Sequence, residues 1–201
     1  MSEQNFDKKS LYFIAIITIL VLGHLYWEHL NGGIASHHLL NNADLPAISN
    51  WWGIAILPLL AWFATRRVKR RVSFQTDDAP EAGRIPKTVT LGFFGVLLLG
   101  LVQAISFEFG YESITMYTAG CVLLIGLFFP IYRTECILGY VLGSAFSFGP
   151  VIPMIGISVM AAISALSNLG LKPLLVNLLK TVSPMRQRQP NRAPPVRTKD
   201  E

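Results

Sequence analysis

Four histidines lie between positions 24 and 38, with one carboxylate, Glu28, in the same stretch, and they form the one grouping in this sequence that suggests acid–base or metal chemistry. His24 and Glu28 are four residues apart, so on a helix they share a face one turn apart. Imidazole and carboxylate together are a ligand set for zinc and other divalent ions. His37 or His38, from the segment that follows, would supply the further donors. Hydrolysis by a zinc-bound water would then be the natural reaction, with Glu28 as ligand or as base. No His-x-x-x-His or His-Glu-x-x-His spacing accompanies the group. The plainer alternative is that His24 and Glu28 satisfy one another while His29, His37 and His38 are polar residues of a wet loop.

The elements that position these residues are long and apolar. Apolar residues make up 52% of the chain and charged residues only 14%, outside the usual composition of soluble domains. A helix needs about 20 mostly apolar residues to cross roughly 30 Å of hydrocarbon. The spacing predicts an all-α, polytopic integral membrane bundle of about six transmembrane helices, near 11–30, 47–65, 88–107, 114–131, 134–148 and 151–168. The last two are split at Gly149-Pro150. A re-entrant hairpin over 134–168 is the alternative, because 15 residues rise only about 22 Å as a helix. The first run reads as an uncleaved span preceded by a short cytoplasmic segment, residues 1–10, and not as a signal peptide.

Charge orients the bundle. Once the spans are drawn, all 17 Lys and Arg fall on one side, while Glu28, Asp44, Glu108 and Glu112 lie at the other. Lys and Arg are retained in the cytoplasm during insertion, so both termini are expected inside, in the cell membrane and by size a bacterial inner membrane. The block Arg66, Arg67, Lys69, Arg70, Arg71 would then meet anionic lipid headgroups, and nothing here calls for nucleic acid. Residues 169–201 form a basic cytoplasmic tail, expected to be disordered from about 183, with 174–179 lying along the interface.

His24 sits six residues from the outer end of its span, roughly 9 Å deep. Gln103 and Tyr117 reach similar depth on neighbouring spans, and Glu108 and Glu112 cap the short connection between them. Ionisable residues inside a span are costly and mark function. The candidate polar pocket is therefore His24, Glu28, Gln103, Glu108, Glu112 and Tyr117, and the candidate metal donors are His24, Glu28, His37 and His38. Asp44 before Leu45-Pro46 reads as the N-cap of the second span, and Pro58 as a kink within it.

Small residues mark helix contacts within lipid. Gly139, Gly143 and Ser147 form one such face, and Ser158 with Ala162 another. They would pack on each other, on the Gly92, Gly95 and Gly100 of the third span, or across an oligomer interface. Cys121 and Cys136 fall at different depths and should not bridge.

The string Glu28 … Ser49-Asn50 is similar to one in ceramidase-like membrane hydrolases. That family takes zinc ligands from a late His-x-x-x-His, and this chain has no histidine after His38, so it is not placed there. No Gly-x-Ser-x-Gly elbow, phosphate loop or dinucleotide fingerprint occurs. Three functions remain. One is binding or processing of an amphiphile or a divalent metal at the outer face. Another is a small-solute transporter or channel, which lacks an evident mid-span acid for coupling. The third is a structural or assembly protein without a site.

Overall fold

The computed structural model describes residues 3–39, 42, 44–73 and 85–182. The segment holding Asp77, Asp78 and Arg84, and the tail from Ser183, lie outside the described residues. The chain is mostly helical: α1 (Glu3–Leu30), α2 (Gly53–Ser73), α3 (Lys87–Glu108), α4 (Glu112–Phe128), α5 (Thr134–Phe148), α6 (Val151–Ala165) and α7 (Lys172–Val182). A π-helical segment, Leu166–Leu171, joins α6 to α7. Among the described residues, Glu3–Leu30, Lys87–Glu108 and the continuous run Val151–Leu179 are long and apolar enough to cross a membrane. Glu112–Phe128 and Thr134–Phe148 are shorter apolar helices.

Four expectations need correction. The chain is not wholly helical: β1 (Ser36–His38) and β2 (Ala47–Ser49) form a two-stranded antiparallel hairpin, with His37 opposite Ile48. The second helix does not begin at 47, because 47–49 is strand and Asn50–Trp52 is a 3-10 turn. Ser49, not Asp44, is the cap, its side chain accepting from the Trp51 amide. Finally, the last long helix does not stop at Asn168 but runs on through the π segment into α7.

α5 is the axis of the bundle, packed against α2, α3 and α6. Its residues Glu135, Cys136, Leu138, Gly139, Tyr140, Val141, Gly143, Ser144 and Ser147 are all buried. Its closest neighbour is α3, and glycine makes that approach geometrically accessible. A Cβ on Gly139 would stand 2.4 Å from the Phe93 carbonyl oxygen, and one on Gly143 would stand 2.3 Å from that of Leu97. The Ser147 hydroxyl donates to the Ala104 carbonyl at 3.2 Å. This face is therefore filled from within the chain, which removes Gly139 and Gly143 from any oligomer contact. Ser158 and Ala162 are exposed.

Outward-facing residues are apolar in quantity: Leu11, Ile16, Leu20, Leu91, Phe94, Leu98, Leu124 and Phe128 among others. A soluble monomer rarely exposes such contiguous apolar area. The π segment has its own cause. Ser164, Ser167 and Asn168 donate to the Phe129, Leu127 and Gly126 carbonyls, satisfying acceptors that the end of α4 would otherwise leave orphaned.

Candidate functional site

Gly32 and Gly33, at φ 119° and 102°, end α1 in a conformation that L side chains rarely adopt. The chain reverses there, and the hairpin folds back over the end of its own helix. The Asn50 amide then donates to the Ala35 carbonyl at 3.0 Å. This brings β1, the 3-10 turn and the last turn of α1 together.

Glu28 is the centre of what results. It is 7% exposed, on the same α1 face as the buried Ile17, Val21 and Leu25. Its Oε1 accepts from Asn50 Nδ2 at 2.5 Å, and its Oε2 accepts from the Ala35 backbone amide at 3.3 Å. His24 Nε2 lies 3.2 Å from Oε1, close enough for an ion pair but not aligned as a hydrogen bond, so that nitrogen is buried without a hydrogen-bond partner. His37 Nε2 is in the same condition.

Strand geometry decides between the adjacent histidines. Successive side chains on a strand point to opposite faces, and His37 turns inward while His38 is exposed. His38 Nδ1 lies 2.7 Å from the Leu45 carbonyl oxygen. His37 packs beside Gly149, whose positive φ of 65° and missing Cβ admit it and Asn50. Burial pushes the His37 pKa below its ordinary 6.5, with Glu28 and Glu108 opposing that shift and His24 adding to it.

The structure thus gathers His24, Glu28 and His37, together with Asn50. It does not gather the rest. Gln103 is turned to α5, where its Oε1 accepts from the Tyr140 hydroxyl at 2.5 Å. Glu112 and Tyr117 are exposed, and so is Glu108, which acts on His37 only through its charge. Among the described residues no group of three or more His, Cys, Asp or Glu side chains could hold a metal ion. Cys121 and Cys136 are both free thiols.

An apolar groove of about 420 Å³ opens between α1, α3 and α5, within the size range of ligand pockets. Leu20, Leu97, Leu101 and Ala145 are among its walls, and His24 and Asn50 stand at one end of it. One end is polar and the length is apolar.

Two relationships escaped sequence reasoning. Asn50 is the partner of Glu28, and the available signal was an amide at the start of the turn that leads into α2. At the opposite end of the bundle, Arg71 donates to the buried Glu135, an acid in the first turn of an otherwise apolar helix. The basic block also has partners within the chain. Lys69 bonds Glu3 at 2.9 Å and Asp7 at 2.8 Å, while Arg66 and Arg67 lie over the rings of Trp62 and Phe63. No family model, curated protein or solved structure matches the chain.

Proposed function

We propose that the chain is a six-span integral membrane protein with both termini in the cytoplasm, and that it binds an amphiphile in its outer leaflet. The acyl part lies in the groove between α1, α3 and α5, and the polar head meets His24, Asn50 and, behind them, Glu28. The observation carrying this reading is the groove itself, an apolar trough with His24 at one end, whose buried Nε2 has no hydrogen-bond partner. Buried polar atoms are normally paired, so a head group with both a donor and an acceptor suits this end.

The orientation rests on the confinement of Lys and Arg to the end opposite the hairpin. Binding is favoured over hydrolysis, because Glu28 is engaged by Asn50 and Ala35. A metal-assisted reaction has no donor group behind it among the described residues.

The test is lipid extraction and mass spectrometry of the purified chain. Ala145→Trp should fill the groove, and Glu28→Leu should remove the head contact. An amphiphile retained by the wild type and lost from both variants is the expected result. Identical lipid profiles in all three would overturn the reading.

A further inference from the structure

A second cavity, of about 270 Å³, lies at the end of the bundle opposite the hairpin, where the beginnings of α1 and α3 meet the far end of α2. Its walls are apolar (Phe6, Val68, Val89 and Phe93 among them), Lys9 and Thr90 stand on exposed stretches of its lining, and Glu135 enters it from α5. Glu135 is 3% exposed. One carboxylate oxygen accepts from Arg71; the other, Oε1, is buried with no partner. The neighbouring Thr134 hydroxyl oxygen is likewise buried and unpartnered.

A half-satisfied buried carboxylate is expensive, and Glu135 is part of the lining of an apolar cavity that a ligand can enter. From this geometry we infer that the cavity takes the head of a phospholipid bearing a primary ammonium. The ammonium donates to Glu135 Oε1, the phosphate meets the Lys9 ammonium, and the start of an acyl chain lies against Phe6, Val89 and Phe93. Charge selects this class. The free carboxylate oxygen asks for a donor, and Lys9 on the same lining asks for an anion, a zwitterion's pattern. A quaternary ammonium has no N–H to donate. A head without an ammonium brings no charged N–H donor to the oxygen that Arg71 leaves unbonded. The cavity is too small for a whole lipid, so the remaining chains stay in the bilayer.

The test uses the full chain, purified in mild detergent and equilibrated with mixed vesicles holding equal parts phosphatidylethanolamine, phosphatidylcholine and phosphatidylglycerol. Bound lipid is then quantified by mass spectrometry. Enrichment of phosphatidylethanolamine by several-fold over both others is expected, falling to the input ratio in Glu135→Gln. Thr90→Trp, on an exposed wall of the cavity, should abolish it while helical content and monodisperse elution stay unchanged, which keeps the test decisive if Glu135→Gln folds poorly. Equal retention of the choline lipid, preference for the glycerol lipid, or enrichment that survives Thr90→Trp would each overturn the inference.

Discussion

Asn50 and Glu28 are 22 residues apart in sequence, yet the amide of one donates to the carboxylate of the other at 2.5 Å in a buried setting. The bond ties the entry of α2 to the last turn of α1 and closes the hairpin between them. Removing one partner strands the other, and a stranded buried acceptor costs about 1–3 kcal/mol. Asn50→Leu should therefore lower thermal stability in detergent by that order. The Glu28→Leu/Asn50→Leu pair should cost less than the two single changes added together, because neither partner is then orphaned. Strict additivity in that double-mutant cycle would show that the bond contributes nothing.

His37 gives the hairpin a pH dependence of known sign. Its pKa is held below the ordinary 6.5 by burial, with Glu28, Glu108 and His24 as the charged groups that act on it. The unfolded chain then binds a proton more readily than the folded one, so stability rises with pH in this window. The contribution is complete above 6.5 and is lost as pH falls below that value towards the folded pKa. Melting temperature measured from pH 7.5 down to pH 5 should decline more steeply in the wild type than in His37→Gln. Parallel curves would rule out a titrating His37.

The central packing was legible in part. Gly139, Gly143 and Ser147 recur every four residues, and that spacing alone marks a contact face. What it could not say is which of several small-residue faces is the partner, since close packing of small residues has no sequence complementarity to read. The hairpin was illegible for a different reason. Three-residue strands carry too little alternation to register, and residues 47–49 look like the apolar start of a helix. His24 with Glu28 was readable because helical spacing fixes it; inclusion of His37 and loss of His38 depend on strand pleat. Glu135 counted only as one more acid on the basic side. Its burial is a tertiary fact, set by the helices around α5.

That same packing predicts a sharp contrast between glycines. A Cβ on Gly143 would sit 2.3 Å from the Leu97 carbonyl oxygen, backbone that cannot move aside cheaply, whereas a Cβ on Gly95 would meet nothing within 4 Å. Gly143→Ala should destabilise by about 1–3 kcal/mol through overpacking, or fail to accumulate. Gly95→Ala should stay within about 0.5 kcal/mol. Equal melting temperatures for the two variants would mean that α3 and α5 are not in backbone contact.

At the other end of the bundle, the Arg71–Glu135 pair should respond unequally to the loss of its two members. The Glu135 side chain is 4% exposed and that of Arg71 is 35% exposed. Glu135 has no second partner to fall back on, since its Oε1 is already unpaired. Arg71→Leu therefore leaves a buried carboxylate with neither oxygen bonded, and breaking a buried pair in this way costs about 3–5 kcal/mol. The partial exposure of Arg71 lets some water reach the site and moves the value towards the lower figure. Glu135→Leu leaves behind only a guanidinium that can turn to solvent, while adding an apolar side chain among Phe93, Val68 and Leu138. That variant should lose much less, and the order of the two melting temperatures is the measurement. If Glu135→Leu proved the more damaging, the carboxylate would be holding the bundle together through Arg71, and its burial would not be the dominant cost.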